Sequence, residues 1–178
     1  MEKRTSESLA RLSVPAFKSG EKRPVYVVLD NLRSLNNVGS VFRTCDAFAV
    51  RRLYLCGITA RPPHKDIHRT ALGATESVEW TYCENTADAV RELREKGVRV
   101  WAVEQVEDST MLDDFTPAPN TEYALVFGNE VFGVEQSVVD LCDGALEIPQ
   151  EGTKHSLNVA VCVGAVLWDV FSKLRRLP

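Results

Sequence analysis

Apolar residues along this chain fall into two alternating rhythms. Residues 25–30, VYVVLD, are an unbroken β-branched and aliphatic run between Pro24 and the polar stretch 31–37, the pattern of a strand buried on both faces. Residues 38–48 then show helical spacing, and residues 52–56 return to strand. Weaker strands are predicted at 78–82, 98–103, 123–127 and 145–148, with helices at 87–96, 134–141 and 157–174. This alternation implies an α/β domain with a mostly parallel sheet and helices on both faces. Residues 1–24 are polar and mildly basic and read as an arm with a short helix over 7–12, leaving 25–178 as a single domain. Two stretches interrupt the rhythm: a basic, Pro-initiated segment at 61–69 and an acidic, Pro-bearing loop at 111–120.

The densest signal lies at residues 146–169, LEIPQEGTKHSLNVAVCVGAVLWD. Pro149 stops the apolar run ending at Ile148, Gly152 frees the loop, and a helix is expected from Ser156. Leu157, Ala160, Val161, Gly164, Ala165 and Trp168 share one face of that helix, yet Val159, Val163 and Val166 make the opposite face apolar too. Both faces therefore need burial, and one is expected to meet a second copy of the chain. Ser156 and Asn158 stand at the mouth of the helix, where unpaired amides can receive a ligand. The plainer alternative is Ser156 as an N-cap and Asn158 as a satisfied core amide.

Composition narrows the class. A chain of 178 residues with 44% hydrophobic and 26% charged residues buries one sizeable core without staples. No apolar run approaches the roughly 20 residues that span a bilayer, and the N-terminus lacks the apolar core of a secretory signal, so a cytoplasmic location is expected. Five cysteines without CxxC spacing suit reduced core thiols. The net charge of −4 conceals a division: residues 1–69 hold 13 of the 21 Lys and Arg but only 6 of the 25 acids, and 104–143 contain no Lys or Arg. A polyanion must approach through the N-terminal third, where Arg33, Arg61, Lys65 and Arg69 are the candidate contacts.

Ligands of open α/β sheets bind beyond the carboxyl ends of the strands, and three post-strand segments stand out. In NNVGSVFRTCDAF, residues 36–48, Gly39 permits a close backbone approach, and Arg43 is expected to share a helix face with Asn36 and Asn37. In GNEVFG, residues 128–133, Glu130 precedes a helix, where the dipole alone would favour it. The third is the 146–169 stretch. Other chemistries lack their residues: no GxGxxG follows the first strand, GNEVFG has no Lys-Ser/Thr, and HKDIH at 64–68 lacks the Glu of HExxH, so no metal site is expected.

In this order and at these strand ends, NNVGSVFRTCDAF, LVFGNEVFGV and LEIPQEGTKHSLNVAV resemble the three motifs of the SpoU/TrmH family of RNA ribose 2′-O-methyltransferases, within the SPOUT superfamily. The resemblance runs over residues 25–170. It implies a C-terminal deep trefoil knot, a homodimer, a structured RNA substrate (tRNA, otherwise rRNA) and S-adenosyl-L-methionine held in the knot. Its catalytic residues fall on Asn37, Arg43, Glu130, Ser156 and Asn158. Val103, Phe127, Gly128, Ile148 and Leu157, at strand ends or loop edges, are the expected lining of an apolar cofactor slot. The chain departs from many members in its short N-terminal arm and in Gln150, where Met is common. Two rival functions are a noncatalytic RNA-binding dimer, which should have lost the polar constellation, and a nicotinamide oxidoreductase, which needs the absent glycine fingerprint.

Overall fold

A computed structural model of the chain describes residues 3–4 and 11–177. Its strands are β1 (Arg23–Asp30), β2 (Val50–Cys56), β3 (Trp80–Cys83), β4 (Arg99–Val103), β5 (Thr110–Met111), β6 (Tyr123–Phe127) and β7 (Gly144–Glu147). They form one sheet of 7 strands in the order β3-β2-β1-β6-β4-β7-β5, and every pairing is parallel. The helices are α1 (Val14–Ser19), α2 (Leu35–Ala47), α3 (Lys65–Ala71), α4 (Ala74–Ser77), α5 (Thr86–Glu95), α6 (Gln136–Val139) and α7 (Val159–Leu174).

The unbroken apolar runs become central strands because they need cover on both faces. Along β1, β2 and β6 the side chains part with period two. Val27, Leu29, Leu53, Leu55, Leu125 and Phe127 enter a core that contains α2 and α7 residues. Val28, Tyr54, Cys56, Ala124 and Val126 enter a second core with α5 and α6. Helices therefore lie on both sheet faces, as the alternation implies. Buried Gly39 sets the spacing of α2 and α3: a Cβ there would sit 2.3 Å from the Ile67 carbonyl oxygen and 2.1 Å from Thr70 Oγ1. That is the close approach its position in the motif anticipates.

Several boundaries differ from those the pattern predicts. Helix α2 starts at Leu35 rather than Val38, because the Ser34 hydroxyl accepts the Asn37 amide at 3.3 Å and caps it early. Helix α6 is only four residues long, and Val138 is its one buried residue. In the N-terminal segment, Arg11 and Leu12 are not helical and 7–10 lie outside the described residues; the helix there is α1, capped by Ser13. The basic segment 61–69 contains most of α3, and the acidic stretch 111–120 begins at the end of β5 and buries Leu112 and Phe115.

Helix α7 starts at Val159, not Ser156. Its cap is Asn158, whose Oδ1 accepts the amides of Ala160 at 2.9 Å and Val161 at 3.4 Å. Asn158 is thus an exposed cap rather than a core amide, and Ser156 caps nothing. Val163, Val166, Leu167 and Val170 are buried within the chain itself, each contributing about 1.5–3 kcal/mol by burial. On the other side Val161 and Trp168 remain 58% and 57% exposed, with exposed Ala165 between them. The five cysteines are free thiols; burial pushes Cys45 and Cys56 far up and Cys142 to about 12. No helix among the described residues is long and apolar enough to cross a membrane.

Candidate active site

Because the strands are parallel, β4, β6 and β7 end on the same edge of the sheet. There they border a cavity of about 560 Å³, completed by the turn 128–133 and the segment leading into α7. Val103, Phe127, Gly128, Ile148 and Leu157, expected from sequence to hold a cofactor, all line it, as do Glu130, Ser156 and Asn158. The volume lies in the ordinary range for small-molecule sites. Gly128 is obligatory here: a Cβ would fall 2.0 Å from the Gly133 carbonyl carbon, so any larger residue would push the turn off the cavity. Gly133 itself has φ +71, a left-handed conformation suited to glycine.

A polar chain crosses the cavity rim. Glu130 accepts the amides of Arg33 and Ser34, both at 2.9 Å, and Asn37 Nδ2 donates to Glu130 Oε1 at 3.0 Å. Asn158 Nδ2 in turn donates to Asn37 Oδ1 at 3.3 Å. Three residues far apart in sequence thus meet at the facing N-termini of α2 and α7. Glu130 does not serve the helix that follows it, as the dipole argument suggested; it is tied to the start of α2. Burial pushes its carboxyl up, but the Arg33 and Ser34 amides and Asn37 outweigh that and hold it below the usual carboxylate range.

Arg43 is placed differently from the expectation. It is exposed, does not line the cavity, and stands six residues after Asn37, which puts the two on different sides of α2; only Asn36, at i−7, shares its face. The Asn37 side chain is bonded instead to Glu130 and Asn158. Of the four cations proposed for a polyanion, all are exposed. Arg61 stacks over the Tyr82 ring at 4.3 Å, and Arg69 donates to Asn36 Oδ1 at 3.0 Å while pairing with Asp66 at 3.5 Å. The side chains of Arg33 and Lys65 make no ion pair among the described residues. His64 accepts the Asp66 amide through Nδ1 at 3.2 Å as the cap of α3.

Sequence reasoning overlooked Glu104 and Asn129. Glu104 follows β4 directly, lines the cavity, and accepts the amides of Gln105 and Val134, both at 2.9 Å. Asn129 Oδ1 accepts the amides of Val131 at 2.9 Å and Phe132 at 3.2 Å, folding the turn around itself. The signal for Asn129 was its place beside Gly128 in a post-strand turn, where Asx turns are common. Glu104 was hidden in an acidic stretch read only for its charge. Cys162 also lines the cavity, but burial first and Glu104 second push its thiol up to about 11, so it is no nucleophile at neutral pH.

Comparison with known proteins places this geometry in context. Residues 24–168 match the model of the SpoU rRNA Methylase family. The Bacillus subtilis TrmH-family protein YacO is 29% identical over 161 residues, 88% of this chain and 63% of that protein. The tRNA (guanosine(18)-2′-O)-methyltransferase of Thermus thermophilus is 33% identical over 147 residues, 80% of this chain and 72% of the enzyme. Among solved structures, an AdoMet-bound rRNA methyltransferase from Sinorhizobium meliloti superposes with a TM-score of 0.79 at 27% identity, covering 89% of this chain and 59% of that one. The chain thus spans less than two thirds of the first and last of these.

Proposed function

Since the chain belongs to the SpoU rRNA Methylase family, we propose that it is an S-adenosyl-L-methionine-dependent methyltransferase acting on a ribose 2′-hydroxyl of a structured RNA, tRNA before rRNA. The observation that carries this is the coincidence of the strand-end cavity with the Glu130–Asn37–Asn158 chain on its rim. The greater coverage of the Thermus tRNA enzyme supports the preference for tRNA.

The bound cofactor supplies an electrophilic methyl group on a sulfonium. The turn closed at Gly128, with Val103, Phe127, Ile148 and Leu157, fits such a molecule: apolar walls with backbone groups at their edges. A ribose hydroxyl is a weak nucleophile, and positioning and electrostatics must do most of the work. Glu130, Asn37 and Asn158 hold the N-termini of α2 and α7 in fixed register, and Ser156 adds a hydroxyl at the rim. Arg43 acts from the RNA side. A guanidinium stays charged in proteins and is a poor base, so Arg43 clamps a backbone phosphate and stabilises developing oxyanion character. The proton leaves to that phosphate or to water.

The same proposal includes a homodimer joined through the exposed face of α7. Val161, Ala165 and Trp168 form one apolar stripe there. It also includes a deep trefoil knot in the C-terminal portion, supported by β6 and β7 each lying between two strands that precede them in the chain. Nucleoside mass spectrometry of RNA from cells with and without the gene tests the activity. The expected result is one 2′-O-methylated nucleotide lost from tRNA or rRNA; an unchanged nucleoside profile overturns it.

A further inference from the structure

The turn over the cavity carries two side chains that the fold does not use. Phe132 is 84% exposed and its neighbour Val131 63%, and both stand at the cavity mouth. Single exposed apolar residues are common and need no explanation. This pair is different because its turn is held on every side. The Asn129 and Gly133 backbones exchange two hydrogen bonds of 2.9 Å, and Asn129 Oδ1 gathers the amides of Val131 and Phe132. Asn129 Nδ2 donates to the Asn31 carbonyl oxygen at 2.7 Å, tying the turn to the end of β1, and Glu104 holds the Val134 amide from the end of β4. Between them, Glu130 is bonded to the start of α2. A ring presented from such a turn loses little backbone freedom when something docks on it.

The chemistry of the occupant follows from the surroundings. A phenyl ring has no charge for a phosphate, but it offers a flat face, and nucleobases stack on exposed aromatic side chains whatever their sequence. Exposed Arg33, whose amide is bound to Glu130, lies beside the turn and suits the backbone of the same strand. We propose that Phe132 is a positioning residue, the stacking platform for an unpaired base of the RNA adjoining the ribose offered to the cavity. Duplex bases are already stacked, so the platform selects loops, bulges and unpaired ends. This inference rests on the RNA methyltransferase proposal above.

The test compares wild type with Phe132→Ala, Phe132→Leu and Phe132→Trp. Methyl transfer is measured to bulk tRNA and rRNA from cells lacking the gene, S-adenosylmethionine affinity by calorimetry, and mass by light scattering. Stacking predicts that Ala and Leu raise the KM for RNA roughly tenfold or more, that Trp restores it, and that cofactor affinity and mass match wild type. The Leu variant separates a π face from plain apolar bulk. An unchanged KM in Phe132→Ala overturns the proposal, as does full rescue by Leu. A loss of cofactor affinity would make the ring a cover for the cofactor, and a change of mass would make it a contact between copies; either result also overturns it. Wild type that binds no S-adenosylmethionine and methylates neither RNA defeats the parent function instead.

Discussion

Arg43 separates two ways in which one residue can matter to methyl transfer. As a phosphate clamp it contributes charge and a planar fork, neither of which touches the cofactor cavity. Arg43→Ala is therefore expected to abolish transfer while S-adenosylmethionine affinity stays near wild type, and Arg43→Lys to keep the charge yet lose most activity. Single-turnover rates at saturating RNA decide between them: near-normal rates in the Ala variant remove Arg43 from the mechanism, and full activity in the Lys variant removes the fork. Glu130 makes a prediction about pH. Its carboxyl is held below the ordinary value of 4.5 by the amides it accepts, so its contribution to stability is present above about that pH and lost as pH falls through the lower folded value. The thermal midpoint of wild type should exceed that of Glu130→Gln near neutrality and converge on it in acid. A constant difference across the range would assign Glu130 no titrating role. At this scale the candidate residues were largely legible: Glu130, Ser156, Asn158 and all five proposed cofactor-binding residues meet at one cavity. What spacing could not supply was which partner each one takes. Asn37 and Arg43 lie six apart, about one and two-thirds turns, which leaves them on different sides of α2, and Glu130 found its amides on a segment almost a hundred residues away.

Helix α7 shows how burial within a chain and burial between chains can be confused. Its residues are apolar all round, so sequence alone asks for cover on every side. The structure divides the demand: Val163 and Val166 are fully buried in the core, whereas Val161, Ala165 and Trp168 face outward. Glutamate in place of Val163 should therefore unfold the chain by burying an unpaired charge. Glutamate in place of Val161 or Trp168 should leave circular dichroism and the fold intact while light scattering reports half the wild-type mass. If both outward variants keep the wild-type mass, the stripe is not the interface. The longer strands were the most legible elements, because unbroken β-branched runs admit few alternatives, and β6 falls at 123–127 as expected, whereas the two-residue β5 at 110–111 is too short to leave a pattern. Helix ends were the least legible. Ser34 and Asn158 both lie within segments where other Ser and Asn residues compete for the cap, and only the three-dimensional path chooses among them.

At the scale of the molecule, charge and topology make separate demands. The basic N-terminal third should set the salt dependence of RNA binding. Replacing Arg33, Arg61, Lys65 and Arg69 together is expected to flatten the plot of log affinity against log salt, by roughly 0.7–0.9 for each phosphate no longer neutralised, with cofactor affinity unchanged. An unaltered slope would put the RNA elsewhere. Arg61 and Arg69 already have partners in Tyr82, Asn36 and Asp66, so Arg33 and Lys65 should carry more of the effect. Topology was the part of the fold that the residues alone left open. Alternating strands and helices specify a parallel sheet, but nothing in their periodicity states that β6 lies between β1 and β4. That placement also governs how the protein is made. Backbone groups on facing edges of β1 and β4 have no permanent partner until residues 123–127 leave the ribosome, those of β4 and β5 wait for residues 144–147, and one apolar face of the sheet stays open until α7 follows. Vulnerability to aggregation is thereby concentrated late in translation, until β6 and then β7 slide between strands already made and α7 covers the core.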